Sequence, residues 1–572
     1  MPASTAVSLT TTEPNPDIPG HTAHDSVRTA SLTVLAFVVA NLVARGLFVG
    51  LNTGEYTDGI LQLSVFTIPA GLYPPLYGAL AWWVSQLGID LVIAGRVVSI
   101  IAASLTVIPV YAMTRRAFGE SAARFSAVFF TISPIVWRWS LRAMTDSLFL
   151  CAGTFAIHFM MCSGENRDSR KRADRFLALA SLLTAASALT RYQGAFLGLL
   201  LVIPLFQFVR NYRSLPWRSV LASMAWVALP LWIKTNGFVH TSQFESRTAG
   251  QWLATLLAYW NLAESFVLIS PYYFAYPIFA CFLIGLFRVR STARVCMKPF
   301  LAYWGIWALV LLVLQSLFGS FQYRYMMPLL PAVLVLAGGG AAWFEADCLA
   351  RGRRWMFSAL FAVGLLYTLL MAVLVVVKQH EAFGDQRRAA LFVREQFPGA
   401  RNVYSNERYG EFLQLGCVKL SYWRGARVEP LWDFLPPKPG LAPRAYFPNG
   451  SLVILGTAYG EEHVDSILSE LNYFYHIRHV AAFSSMLYPL HDDIMMNGMF
   501  SQNPMGWVMR YAAQLFSTTI YVVDSRRTDE EIQALINRQL GPPGTKPVSD
   551  GRGGLMVDGS GLTTATATRA RP

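Results

Sequence analysis

Apolar runs of about 20 residues recur between residues 31 and 377 of this 572-residue chain, and few folds accommodate them. At about 1.5 Å per residue, one such run crosses a bilayer core as a helix. Solid runs exclude a transmembrane strand barrel, whose segments alternate over about ten residues. Composition agrees, because 54% of the residues are hydrophobic and only 14% are charged. A soluble domain carries roughly a quarter charged residues. The expected fold class is a polytopic α-helical membrane protein with about eleven transmembrane helices. The expected spans lie near 31–51, 92–113, 120–137, 144–162, 176–190, 194–209, 218–236, 271–287, 299–318, 326–346 and 355–377.

Basic residues divide unevenly between the two sets of loops. One set holds Arg115 and Arg116, the cluster from Arg167 to Arg175, Arg210, Arg213 and Arg218, Arg288 to Lys298, and Arg351 to Arg354. The opposite short loops hold only Arg138, Arg142, Arg191, Arg247 and Arg324. The positive-inside rule then puts the N-terminus in the cytoplasm and everything beyond the last span outside it. This distribution also accounts for much of the +13 net charge without a nucleic-acid partner. The expected location is an inner or plasma membrane, crossed many times.

Residues 1–30, rich in Thr, Pro and Ser, read as a disordered cytoplasmic tail without a cleaved signal. Residues 31–378 form the expected membrane domain. From 379 to 535, NVYSN (402–406), SLVILG (451–456) and TTIYVV (518–523) alternate with helical stretches such as EEHVDSILSEL (461–471). These predict an extracytoplasmic, or periplasmic, α/β domain. Residues 536–572 read as a disordered tail. Only Cys417 of the six cysteines falls in the exported domain, so no disulfide framework is expected there.

The first outer loop, residues 52–91, contains no Lys or Arg and reads Glu55-Tyr56-Thr57-Asp58-Gly59 near its start. A carboxylate there is placed to accept a proton from a hydroxyl, although an Asp-Gly pair also simply makes turns. Tyr73-Pro74-Pro75-Leu76-Tyr77 stiffens the entry to an apolar segment, 76–87, whose Trp82 and Trp83 suit a membrane interface. A similar segment occupies 251–260. Asp146 opens the fourth span four residues after Arg142, where it can cap a helix or serve a site. Arg191-Tyr192 and Tyr323-Arg324-Tyr325 put arginines beside tyrosines in very short outer turns. A guanidinium forks two donors onto phosphate oxygens, but it can equally snorkel to lipid headgroups. His491-Asp492-Asp493 and Glu461-Glu462-His463 lack metal-ligand spacing and read as solvated faces. No phosphate-cradling glycine loop or Ser-His-Asp arrangement is present, which disfavours a soluble nucleotide-using enzyme.

EYTDG (55–59), YPPLY (73–77), MTDSL (144–148) and YRYMMPLLP (323–331) together resemble motifs of the GT-C integral-membrane glycosyltransferases. The likeness is to the branch of protein O-mannosyltransferases and lipid A aminoarabinose transferases. Two features depart from the mannosyltransferases: Glu55 precedes Asp58 by three residues instead of adjoining it, and no middle insert domain is present.

The resemblance implies transfer of a sugar from a polyprenyl-phosphate donor to an acceptor hydroxyl on the outer membrane face. Asp58 would be the base of an inverting displacement, and Asp146 would position a cation, the acceptor or an arginine. Arg324, Arg191, Arg142 and Arg138 would hold the lipid phosphate. Glu55, Tyr56, Tyr73, Tyr77, Tyr192, Tyr323 and Tyr325 would line the substrate pocket. A divalent cation at Asp58 and Asp146 is compatible with this scheme without being demanded by it. The acceptor would be a protein, lipid or glycan. A lipid-linked-glycan flippase or transporter, a glycan ligase or polymerase, and a non-catalytic scaffold are the alternative readings.

Overall fold

The computed structural model describes residues 23–55, 57–63, 73–165, 169–236, 275–292, 297–318, 323–398, 400, 402–405, 446–457, 461–487 and 514–540. The segment 251–260, Arg247, Tyr56, Cys417, His491-Asp492-Asp493 and both expected tails beyond 22 and 540 lie outside them. The chain divides into two units, Met1–Gly384 with Met486–Leu515, and Asp385–Ser485 with Phe516–Pro572.

The first unit is helical. Seven helices among the described residues are long and apolar enough to cross a membrane: Thr29–Gly46, Leu91–Phe118, Asp146–Glu165, Arg170–Thr190, Tyr192–Tyr212, Met327–Ala350 and Arg354–Val377. Two apolar stretches are shorter, Tyr276–Arg288 and Met297–Leu311. One of the expected spans is broken and another changes its winding part-way. The stretch 120–137 becomes α5 (Glu120–Ile132) and α6 (Pro134–Ser140), because Pro134 has no N–H to continue the ladder. The stretch 218–236 becomes Trp217–Ser223, a 3-10 turn at Met224–Val227, and Ala228–Asn236.

Local chemistry sets several of the remaining boundaries. Helix α4 (Leu91–Phe118) starts at Asp90, whose carboxylate accepts from Val92 N at 3.0 Å and Ile93 N at 3.2 Å. Gly119, at φ 100°, makes the left-handed step into α5. The run Gly338-Gly339-Gly340 lies in the helix Leu330–Ala350, where two neighbouring helices approach closely. A β-carbon at Gly338 would lie 2.5 Å from Ala122 O, and one at Gly340 would collide with Cys281 O. Lipid tails are as apolar as leucine, so helices in a bilayer gain by close backbone approach at small residues. Gly340→Leu is therefore expected to destabilise the unit by at least roughly 1–3 kcal/mol. The check is the thermal midpoint of the detergent-solubilised protein; an unchanged midpoint would refute the close crossing.

Apolar side chains also point outward. Trp355, Val363 and Leu366 on the helix Arg354–Gln379 are mostly exposed, as a lipid-facing helix requires. Helix α3 (Leu76–Ser85) is two-faced: Tyr77, Gly78 and Ala81 are buried while Trp82 and Trp83 are exposed.

The second unit contains a four-stranded sheet of order β1-β2-β4-β3, from β1 (Val403–Ser405), β2 (Leu452–Gly456), β3 (Tyr475–Leu487) and β4 (Gln514–Arg526). Strand β2 pairs parallel with β1 and antiparallel with β4, in the register Ile454↔Ile520. Its residues are all buried, since alternate side chains serve different clusters. Val453 and Leu455 pack with Ile467 and Leu471 of the helix Glu461–Phe474. Leu452 and Ile454 pack with Ala389, Ala390 and Val393 of the helix Gly384–Gln396. Buried Asp385 ties that helix to the sheet, accepting from Ser485 Oγ at 2.5 Å and Thr518 Oγ1 at 2.7 Å.

Candidate functional site

The two acidic motifs meet because a short helix, α2 (Thr57–Leu63), lies directly against the turn before α7 (Asp146–Glu165). Gly59 permits the contact, since a β-carbon there would sit 2.5 Å from Ala143 O. Gln62 Oε1 then accepts from Thr145 N at 2.9 Å, satisfying a backbone donor at the start of α7. Two further bonds stitch the same segments together: Asn52 Nδ2 donates to Leu141 O at 2.7 Å, and Arg142 Nη1 donates to Gly54 O at 2.7 Å. All four contacts come from small or polar residues facing buried backbone groups.

Asp58 is in the first turn of α2, with its side chain 29% exposed, so solvent or a ligand can reach it. Its Oδ1 accepts from the Tyr73 hydroxyl at 2.9 Å, and its Oδ2 accepts from Arg324 Nη2 at 2.7 Å. Arg324 arrives from the 3-10 turn Tyr323–Leu329 and is almost buried. Its guanidinium carbon lies 5.6 Å from the centre of the Trp139 ring, and that of Arg138 lies 4.7 Å from the same ring. Fully buried Trp139 thus carries two guanidinium groups, of which that of Arg324 contacts the Asp58 carboxylate.

The other candidates are placed differently. Arg191 pairs with buried Asp146 and lies 5.9 Å from the Phe149 ring centre. It caps the helix Arg170–Thr190 in extended conformation, and Gly194 keeps the following turn tight against the Ser187 backbone. Glu55 accepts from Arg96 Nε at 2.6 Å with both side chains buried. Arg142 is also buried, and its Nη1 bond to Gly54 O helps hold the loop. Tyr77 is fully buried and donates to Gly95 O at 2.8 Å, which makes it an anchor of α3 rather than a pocket wall. Burial pushes its phenol pKa well above the ordinary value, so the hydroxyl stays protonated. Tyr192 is half-buried in the turn after Arg191. Tyr323 and Tyr325 lie in the 3-10 turn that carries Arg324, and their side chains fall outside the described residues.

Both carboxylates proposed for a cation face guanidinium groups instead. Among the described residues, no group of three or more His, Cys, Asp or Glu side chains is arranged to hold a metal. A divalent cation needs several oxygen ligands around one point, so Asp58 and Asp146 in these pairings do not fit one. Trp139, Gln62 and Asn52 were not anticipated from the sequence. The signal for Trp139 was its position inside Arg138-Trp139-Ser140-Leu141-Arg142, and that for Gln62 its place one helical turn after Asp58.

The family described as dolichyl-phosphate-mannose-protein mannosyltransferase matches residues 73–239, a stretch that includes Arg138, Asp146 and Arg191. No curated protein matches the chain significantly. Among solved structures, ArnT from Cupriavidus metallidurans bound to undecaprenyl phosphate matches with a TM-score of 0.54 at 16% identity. That match covers 80% of this chain and 97% of ArnT. The fold is GT-C, and the chain resembles the PMT/ArnT branch. The apo state of the same ArnT gives a TM-score of 0.51 at 16% identity, covering 80% of this chain and 96% of that one. An oligosaccharyltransferase from Archaeoglobus fulgidus, in complex with Zn and sulfate, is also similar, with a TM-score of 0.49 and 12% identity, covering 78% of this chain and 72% of that one. In this GT-C unit the acidic turns and the Arg324 turn are held together by side-chain contacts rather than by sequence proximity. Asp58 and Arg324 stand 266 residues apart.

Proposed function

We propose that the chain is a glycosyltransferase that moves a sugar from a polyprenyl-phosphate donor to an acceptor hydroxyl outside the cytoplasm. The observation that carries this reading is the 2.7 Å contact between Asp58 and Arg324, a proton acceptor beside a phosphate-binding group. ArnT, whose fold this chain shares, binds undecaprenyl phosphate, which supports the donor class.

In the proposed reaction Asp58 takes the proton of the acceptor hydroxyl as its oxygen attacks the anomeric carbon. The bond from that carbon to the phosphate oxygen breaks, its electron pair leaves with the phosphate, and the centre inverts. With 29% of its side chain exposed, Asp58 is within reach of an acceptor hydroxyl. The leaving phosphate is acidic and needs charge neutralisation rather than protonation. Arg324, held at Asp58 through Nη2, supplies that neutralisation together with Arg138, whose guanidinium lies over the same Trp139 ring. Arg191 and Arg142, committed to Asp146 and Gly54 O, position rather than bind in this scheme.

Charge placement favours an extracytoplasmic site. Arg116 pairs with Glu165 at one end of α7, at 3.4 Å, and Asp146 with Arg191 at the other. The first end belongs to the arginine-rich loops and the second to the site, so the positive-inside rule puts the site outside. The C-terminal unit, following the last span, is placed outside by the same rule.

The test is transfer by the full-length protein in lipid vesicles, using radiolabelled polyprenyl-phosphate sugars and a panel of protein, lipid and glycan acceptors. Labelled product with inverted anomeric configuration is expected. Movement of the labelled lipid across the bilayer without any glycosidic product would replace this reading with the transporter.

A further inference from the structure

The break between α5 and α6 is held by a residue that has no part in the ion pairs of the site. Arg45, in the last turn of the helix Ala23–Gly46, is completely buried. Its Nε donates to Ser140 Oγ at 3.0 Å and its Nη2 to Thr131 O at 3.3 Å, while Nη1 donates to Asn41 Oδ1. Its guanidinium carbon lies 5.0 Å from the Trp137 ring centre. Every one of these partners is neutral. They bracket the break: Thr131 is in the last turn of α5, while Trp137 and Ser140 are on α6.

The physical need is plain. Pro134 has no N–H, so the last carbonyls of α5 lose partners that a continuous helix would supply. Arg45 and Trp137 Nε1, the latter at 2.8 Å, both donate to Thr131 O. Asn41 Nδ2 adds a bond to Thr131 Oγ1 at 2.9 Å. With both helix ends fixed on one guanidinium, the angle between α5 and α6 is fixed too. Helix α6 carries Arg138 and Trp139, the ring on which Arg324 rests.

We propose that Arg45 is a positioning residue for the phosphate side of the site, acting through the kink at residues 131–140 to set Trp139 and Arg138 against Arg324. The proposal rests on the transferase reading above. A flexible ammonium or an amide cannot bridge Thr131 O and Ser140 Oγ with the same planar fork.

The experiment compares wild type with Arg45→Gln, Arg45→Lys and the milder Ser140→Ala in vesicles, measuring kcat and KM for donor and acceptor. Misplacing catalytic groups by about 1 Å costs on the order of 10²-fold. Arg45→Gln is therefore expected to lower kcat by about that factor with acceptor KM unchanged, because Asp58 is fixed by other contacts. Retention of undecaprenyl phosphate should weaken in parallel, Arg45→Lys should recover part of the loss, and Ser140→Ala should fall between Arg45→Lys and wild type. Hydrogen exchange of backbone amides 137–142 reads the same claim without turnover and should quicken in each variant. Kinetics within twofold of wild type, or unchanged exchange in that segment, would overturn the proposal. A wild type that transfers no sugar would instead overturn the transferase reading, leaving Arg45 to be judged by exchange and lipid retention.

Discussion

Asp58→Asn is expected to lower sugar transfer by about 10²–10⁴-fold, the range that general-base catalysis contributes. The substitution is nearly isosteric. It keeps an oxygen for the Tyr73 hydroxyl or for Arg324, and it leaves Gly59 and Gln62 to hold α2 against the turn before α7. What disappears is the lone pair able to take a proton, together with one negative charge beside the phosphate groups. These two losses act oppositely on different measurements. Turnover falls because the acceptor oxygen is no longer activated. Affinity for undecaprenyl phosphate holds or rises, because a carboxylate next to a phosphate repels it. Initial rates and lipid retention measured on the same preparation separate the two effects. A variant with full transfer would move the base to another residue, and one that loses lipid binding would show that Asp58 matters chiefly for holding Arg324.

The order of helices was legible in the sequence because twenty-residue apolar runs have one economical solution in a bilayer. The break at Ser133-Pro134 and the 3-10 stretch at Met224–Val227 were less so, since hydropathy averages over a run and does not register a local change of winding. Strand β3 is not legible in the sequence: YHIRHVAAFSSML mixes His, Arg and Ser with apolar residues without clean alternation, and it directly follows a helix. In the candidate site, single residues were more legible than pairings. Arginines and carboxylates in loops of this type stand out individually, but the sequence does not say which arginine faces which carboxylate. Arg142, four residues before Asp146, invites a helical pair, yet its Nη1 donates to Gly54 O while Asp146 pairs with Arg191. The pairing across 266 residues depends on how α2 docks, and that docking depends on Gly59 and Gln62, which carry no charge to advertise them.

Arg324→Gln is expected to lower kcat by about 10²–10³-fold, the usual loss when one group stabilising a developing negative charge is removed. Arg324→Lys should be only a partial substitute, because an ammonium presents no planar fork and stacks poorly on Trp139. The contrast that gives this meaning is Arg191→Gln. Arg191 neutralises Asp146, whose side chain is 1% exposed, so removing it strands a buried carboxylate and is expected to cost about 3–5 kcal/mol of stability. Asp58, by comparison, is 29% exposed and can be rehydrated when Arg324 is lost, so the thermal midpoint of Arg324→Gln should barely move. One arginine is thus read mainly in rate and the other mainly in stability, although both sit in ion pairs. The double variant Asp58→Asn/Arg324→Gln decides whether the pair works as a unit. Groups in direct contact are not additive, so its loss should fall well short of the product of the two single losses. Independent losses that multiply would mean that Asp58 and Arg324 serve different steps, and their contact would then be a resting-state ion pair that opens before the donor binds.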